Sequence, residues 1–152
     1  MLRSKRAFSV AIADVDRFKS INDTLGHEQG DEVLRQIAKI FSSRLRGQDI
    51  LARWGGEEFM FIFADTRESD AAKALESIRE LLSKAPLNID GKKVHVTSSF
   101  GICEVSAGTD VSSAIRRADM ALYFAKDNGR NRICASSSIS PSPFSNSALS
   151  KV

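Results

Sequence analysis

Residues 50–63 read Ile50-Leu51-Ala52-Arg53-Trp54-Gly55-Gly56-Glu57-Glu58-Phe59-Met60-Phe61-Ile62-Phe63, two apolar stretches on either side of a glycine pair. Each flank is strand-sized and the glycines between them are a tight-turn signal, so the segment predicts a β-hairpin. Upstream, residues 8–13 have the apolar pattern of a buried strand that stops at Asp14. Phe18, Ile21 and Leu25 follow at helical spacing, with Gly26 placed to end the helix. A longer helix is expected from about Asp31, with Val33, Leu34, Ile37, Ala38, Phe41 and Leu45 on one stripe and Arg46-Gly47 closing it. Downstream, Ala71, Leu75, Ile78 and Leu82 mark a helix stopped before Pro86, and residues 94–105 read as one strand. A last helix runs from an Asp110 cap through Ile115, Ala118, Leu122 and Ala125 to Gly129, ahead of a terminal strand over 131–135.

The resulting order is β-αα-ββ-α-β-α-β. Because the central pair is a hairpin, the sheet must be mixed or antiparallel with helices on its faces. The expected class is therefore α+β, a ferredoxin-like split βαβ elaborated by extra elements, with a mixed, mostly antiparallel central sheet.

A length of 152 residues with 42% hydrophobic and 27% charged side chains describes one globular domain around one core. The densest apolar stretches, 8–13 and 59–64, fall far short of the roughly 18 residues that a spanning helix needs. Lys and Arg number 22 against 19 Asp and Glu, interspersed, and a net charge of +3 is too mild to argue for nucleic acid as a partner. Cys103 and Cys134 lack neighbours at metal-ligand spacing and read as small buried hydrophobes in a reducing compartment. Residues 135–152 hold eight serines, two of the three prolines and a single charge, so the folded unit is expected over 1–134 and a Ser/Pro-rich disordered tail after it.

Asp14 and Asp16 stand where the first strand ends, and Glu57 and Glu58 at the tip of the hairpin. If those strands are neighbours, Asp14 and Glu57 converge and can hold a hard cation, Mg²⁺ above all, through oxygen. The alternative is that the aspartates cap a helix and the glutamates are solvated turn residues. Gly55 and Gly56 would let a metal-bound phosphate approach the backbone, although a tight hairpin also favours glycine. Lys126 and Arg130 flank the glycine ending the last helix, where cations suit both the helix dipole and phosphate oxygens. Asn22, His27 and Asp31 gather at the junction of the first two helices, where Asn and Asp can pair with a purine edge or simply form turns.

Together these residues resemble one family, the GGDEF domains, whose active members are diguanylate cyclases. The resemblance rests on Asp14-Val15-Asp16-Arg17-Phe18-Lys19, Ile21-Asn22-Asp23, Gly26-His27, Gly30-Asp31 and Arg53-Trp54-Gly55-Gly56-Glu57-Glu58-Phe59. It continues through Ala118-Asp119-Met120-Ala121-Leu122-Tyr123 and Ala125-Lys126 into Gly129-Arg130-Asn131-Arg132, in the family's order and spacing over residues 8–134. It implies a palm-like nucleotidyl cyclase fold and a reaction in which two GTP condense to cyclic di-GMP and two pyrophosphates. In that reading Asp14, the Val15 carbonyl and Glu57 bind Mg²⁺, or Mn²⁺ as the alternative, with Glu58 a further ligand and Glu57 the candidate for deprotonating the nucleophile. Asn22 and Asp31 read guanine, His27 lies beside the nucleotide, and Phe18, Lys19, Lys126 and Arg130 surround the triphosphate. Arg46-Gly47-Gln48-Asp49 matches the family's RxxD inhibitory site, implying product inhibition through Arg46 and Asp49.

Since one domain holds one GTP, catalysis is expected to need a homodimer. The rival from another class is a catalytically silent effector that binds GTP or cyclic di-GMP. Asp14, Gly55, Gly56 and Glu57, which degenerate members lose, are all present and favour the enzyme. An RNA-binding sheet is disfavoured because no strand carries the row of exposed aromatic and basic residues that it requires. The family also carries a helix and an Asp-x-Leu-Thr-type segment before the first strand, where this chain has only residues 1–6. It is therefore expected to be a fragment or a short member, with a sensory or receiver domain in the full-length protein. The domain itself is expected in the cytoplasm, and attachment of the full-length protein to the inner membrane stays open.

Overall fold

An unbroken run of small and branched apolar residues needs cover on both sides, and β1 (Phe8–Val15) obtains it as the middle strand of a five-stranded sheet. The computed structural model describes residues 7–139. Two helices follow β1, α1 (Phe18–Leu25) and α2 (His27–Ser42), and then the hairpin of β2 (Ile50–Arg53) and β3 (Glu58–Phe63). The chain continues through α3 (Glu68–Lys84), a small hairpin of β4 (Leu87–Ile89) and β5 (Lys92–Val94), β6 (Ser98–Val105), α4 (Val111–Asp127) and β7 (Ile133–Ala135). The main sheet runs β2-β3-β1-β6-β7, antiparallel except for the β6–β7 pair that α4 connects. The α+β expectation holds, and the first strand does pair with the hairpin.

Strand alternation divides the core in two. Ala11, Ala13, Val15, Phe59, Phe61, Phe63, Phe100 and Ile102 face α1, α2 and α3, and Phe41 of α2 sits at the centre of that layer. Its ring lies 5.3 Å from those of Phe59 and Phe61 and 5.7 Å from that of Phe100. Val10, Ile12, Met60, Cys103 and Val105 face α4. That helix presents alanines to the sheet and lies almost on its backbone: a Cβ at Gly101 would stand 2.0 Å from the Ala118 carbonyl oxygen. Glycine is obligatory there through close approach, and this seating of α4 fixes where its C-terminal Lys126 arrives.

Several local expectations are corrected. The second helix starts at His27, not near Asp31, because Gly26 (φ 92°) forms the joint without any side-chain cap. It ends at Ser42, so Arg46-Gly47 lie beyond it in a turn. The strand expected over 94–105 is interrupted: Lys92–Val94 belongs to the small hairpin, whose turn places Asp90 (φ 52°) and Gly91 (φ 79°) in left-handed conformation. No side chain caps α1, whose preceding residue Arg17 is left-handed. At the other end Ala135 completes β7 and Ser136–Ser138 form a 3₁₀ turn. The rest of the expected tail, residues 140–152, lies outside the described residues. Both cysteines are free, Cys103 buried and Cys134 half-buried. No helix among the described residues is long and apolar enough to cross a membrane.

Candidate functional site

The register of the sheet assembles the site. Asp14 stands opposite Glu58 on β3 and Ser99 on β6, and alternation turns this row toward α4. Lys126, in the last turn of α4, reaches down to it, with Nζ 2.7 Å from Asp14 Oδ2. Glu57 is tied to the same strand end, its carbonyl accepting from the Val15 N–H at 3.2 Å. Burial, then the charge of Asp14 and hydrogen bonding with it, hold the Glu57 carboxyl above the ordinary glutamate range, and Lys126 opposes them. Glu58 is raised by the same causes, with Asp119 adding repulsion after Asp14.

Three carboxylates thus share one ammonium, and Asp14 Oδ1 is buried with no hydrogen-bond partner. No three Asp, Glu, His or Cys side chains among the described residues already form a closed cation cage. Lys126 supplies the positive charge in its place. The donor set still fits a divalent cation: hard carboxylate oxygens, excess negative charge and an orphaned buried oxygen are what such an ion would satisfy.

The other buried side-chain oxygen without a partner among the described residues is Asn22 Oδ1, on α1. Gly30 makes room for it, since a Cβ there would stand 1.8 Å from that oxygen. His27 and Asp31 are exposed one helical turn apart on α2, on the same side of the helix. The ring of Phe18 is buried in the core, so what Phe18 can offer a phosphate is its backbone N–H at the start of α1, beside the exposed Lys19.

Neither Gly55 nor Gly56 has the positive φ that would demand glycine. A Cβ at Gly56 would meet nothing within 4 Å, and one at Gly55 nothing nearer than 3.4 Å. Internal structure therefore does not require the pair. Arg53 braces the loop, donating from Nε to the Gly56 carbonyl at 2.9 Å and to that of Gly55 at 3.2 Å. Arg130 and Asn131, just beyond α4, both have positive φ, at 63° and 48°.

Arg46 and Asp49 stand apart, at the opposite end of the sheet. Asp49 accepts from the Arg46 backbone N–H at 2.9 Å, from its Nε at 3.2 Å and from its Nη2 at 3.0 Å. Arg46 Nη2 also donates to the Ala64 carbonyl and to Thr66 Oγ1, just past β3. Burial alone would push the Asp49 carboxyl up, but the Arg46 hydrogen bonds together hold it below the ordinary aspartate range.

Two contributors went unassigned in the sequence. Arg53 and Asp119 lay within quoted motifs but carried no signal of their own, since each acts on a neighbour that only the fold supplies. Asp16 was weighed beside Asp14, yet its surroundings are different: it accepts from Thr97 Oγ1 and Ser99 Oγ, each at 2.6 Å, and from the Asn131 N–H at 3.0 Å.

The family model for "Diguanylate cyclase, GGDEF domain" matches residues 1–132. Diguanylate cyclase A of Treponema denticola is 43% identical over 133 residues, 87% of this chain and 36% of that protein, so the chain spans about a third of this relative's length. The GGDEF domain of DgcB from Caulobacter crescentus, solved in complex with c-di-GMP, superposes with a TM-score of 0.83 at 38% identity, covering 88% of this chain and 80% of that one. The active GGEEF domain of a diguanylate cyclase from Vibrio cholerae gives a TM-score of 0.80 at 37% identity, covering 88% and 85%. With the hairpin, the carboxylate row and these likenesses in agreement, the chain belongs to the GGDEF family.

Proposed function

We propose that this domain is a diguanylate cyclase that condenses two GTP into cyclic di-GMP and two pyrophosphates. The observation that carries the proposal is the pair of orphaned buried oxygens, Asp14 Oδ1 and Asn22 Oδ1. An unsatisfied buried polar atom costs roughly 1–3 kcal/mol, so each of the two calls for a ligand group that completes it. A nucleotide carrying a divalent cation on its phosphates and N–H donors on its base has the right chemistry at both ends. Guanine presents N1–H and N2–H donors to acceptors such as the Asn22 amide oxygen and the Asp31 carboxylate. Adenine presents an acceptor at N1, which those oxygens would repel.

Held by Asp14, the Val15 carbonyl and Glu57, with Glu58 adjacent, Mg²⁺ or Mn²⁺ would screen phosphate charge and lower the pKa of the attacking 3′-hydroxyl. Glu57, at the cation beside the attacking hydroxyl, is the candidate to accept the hydroxyl proton. Lys126 and Arg130 carry positive charge for the leaving pyrophosphate, and Lys19 with the Phe18 N–H supports the phosphates from α1. His27 flanks the nucleotide, and Gly55 and Gly56 leave the loop open for it to enter.

The 3′-hydroxyl of one GTP must meet the α-phosphorus of another, so two copies face each other in a two-fold dimer during turnover. Product inhibition is assigned to Arg46 and Asp49, where a guanidinium and a carboxylate can engage a phosphate and a guanine edge. The site works in the compartment that holds GTP, the cytoplasm, and the sensory or receiver domain that brings two copies together belongs to the full-length protein.

The test is nucleotide binding followed by turnover. With Mg²⁺ present, the protein should bind GTP at least about tenfold more tightly than ATP, and Asn22→Ala should lose that preference. Equal affinity for the two nucleotides in the parent would contradict the assignment. Turnover per subunit should fall on dilution; a constant value far below any dimer dissociation constant would remove the dimer requirement. Binding without product at any concentration would make the domain the silent effector instead.

A further inference from the structure

Two residues beyond Asp14, the strand end carries a second carboxylate whose setting is the reverse of the first. Asp16 is 6% exposed. Its Oδ1 accepts from Ser99 Oγ at 2.6 Å, and its Oδ2 from Thr97 Oγ1 at 2.6 Å and from the backbone N–H of Asn131 at 3.0 Å. Ser99 Oγ also accepts from that N–H at 3.2 Å, and the Asp16 N–H donates to the Thr97 carbonyl at 2.9 Å. Between Thr97 and Ser99, Ser98 turns the other way and donates to the Asp14 carbonyl at 2.8 Å. Three successive hydroxyls thus hold the two aspartates in fixed relation, through the carboxylate of one and the backbone of the other.

What Asp16 grips is an uncommon piece of backbone. Gly129, Arg130 and Asn131 all have positive φ, and for the two non-glycine residues that conformation costs of order 1 kcal/mol or more each. The turn is held at three further points. Arg130 N–H donates to the Ala125 carbonyl at 3.0 Å, the Phe100 N–H to the Arg132 carbonyl at 2.9 Å, and Arg79 Nη1 to Asn131 Oδ1 at 3.0 Å. The Asp16 contact ties it to β1, the strand that bears Asp14 and Val15, while Lys126 enters from the helix just before the turn.

We infer that Asp16 is a positioning residue for the nucleotide site: by binding the Asn131 N–H it fixes the turn carrying Arg130 against the strand end carrying Asp14 and Val15. The phosphate-binding and cation-binding sides of the site are then held in register by one buried carboxylate that touches neither ligand. This rests on the nucleotide site proposed above. The isosteric Asn keeps one acceptor for the Asn131 N–H, whereas Ala removes it and orphans two hydroxyls as well.

The experiment is a double-mutant cycle with GTP binding read by titration, together with hydrogen exchange at the Asn131 amide, which needs no nucleotide. Asp16→Ala should weaken GTP binding about tenfold or more, and Asp16→Asn should recover most of it, as expected for a group that orients the groups holding a ligand. In an Arg130→Ala background Asp16→Ala should cost under about threefold, because the residue it positions is already gone. The Asn131 amide should exchange at least about tenfold faster in Asp16→Ala than in the parent. If Asp16→Ala does not fold, Ser99→Ala, which weakens the same latch, should give the same pattern in smaller measure. Unchanged exchange at Asn131, or losses that multiply independently with Arg130→Ala, would overturn the positioning role. A parent that binds no GTP while its Asn131 amide responds as described would instead overturn the cyclase reading, and with it any nucleotide role for the latch.

Discussion

The Asp14, Glu57 and Glu58 cluster and the Asp49–Arg46 pair, at opposite ends of the sheet, treat their carboxylates in opposite ways. At one, Asp14, Glu57 and Glu58 crowd around a single ammonium, two of the three are pushed toward protonation, and an Asp14 oxygen is left without a partner. At the other, Asp49 collects three hydrogen bonds from Arg46, which spends its remaining reach on Ala64 and Thr66, and Ser9 Oγ closes the corner by donating to the Thr66 carbonyl at 2.8 Å. A satisfied pair is what stability alone would select. The crowded end is tolerable only if something else completes it, which is why it carries the functional proposal. It also follows that a ligand at Arg46 and Asp49 has to compete with bonds already made.

Substitutions separate the two ends, beginning with the largest effect. Glu57→Ala should lower cyclic di-GMP formation by about a hundredfold or more, since it removes both a cation ligand and the candidate base; a folded variant with full turnover would break the contrast. Gly101→Ala tests the seating of α4 that brings Lys126 to Asp14. It should cost roughly 3 kcal/mol and lower the Tm by several degrees, because the new methyl meets helix backbone rather than a movable side chain. Arg46→Ala strips the guanidinium from the buried Asp49 side chain, which keeps only backbone N–H donors, and should cost about 1–3 kcal/mol in denaturant unfolding. Inhibition by cyclic di-GMP should then need at least about tenfold more product if the pair is also the inhibitory site.

Titration gives a smaller but more diagnostic difference. Glu57 and Glu58 bind protons more tightly folded than unfolded, so without a cation their contribution to stability grows as the pH falls from neutral toward the ordinary glutamate range near about 4.3. Asp49 runs the other way: its contribution is present above the ordinary aspartate range and is lost as acid protonates it in the folded state. A divalent cation binds the ionised glutamates, so the gain in Tm from Mg²⁺ should be larger at neutral pH than near the ordinary glutamate range of about 4.3. An equal gain at both would argue that the cation is not held by these groups. At the bottom of the scale, Lys84→Ala, which removes an exposed i,i+4 pair with Glu80, should change stability by under about 0.5 kcal/mol.

Local patterns carried much of this architecture in the sequence, and long-range pairing hid the rest. The apolar run before Asp14 and the Gly55-Gly56 turn identified the first strand and the hairpin and, if the two were neighbours, brought Asp14 toward Glu57; the register that sets Glu58 opposite Asp14 came with the fold. The Asp90-Gly91 turn signal lay just ahead of the stretch read as one strand, 94–105, and the two strands of three residues that flank it are too short to stand out. The start of α2 was hidden because Gly26 makes the joint through its backbone, while Asp31 looked like a cap. Spacing alone could not tell Asp14 from Asp16: both stand at the end of the same strand, and the groups that satisfy Asp16 arrive from positions 97, 99 and 131. Which carboxylate is orphaned and which is satisfied is decided only by the fold.

The most direct measurement is product formation by the protein at high concentration with GTP and Mg²⁺, run beside Glu57→Ala. The account predicts cyclic di-GMP and pyrophosphate from the parent and a variant that stays folded and makes essentially none. A parent that neither binds GTP nor forms product, or a Glu57→Ala protein that turns over like the parent, would contradict it.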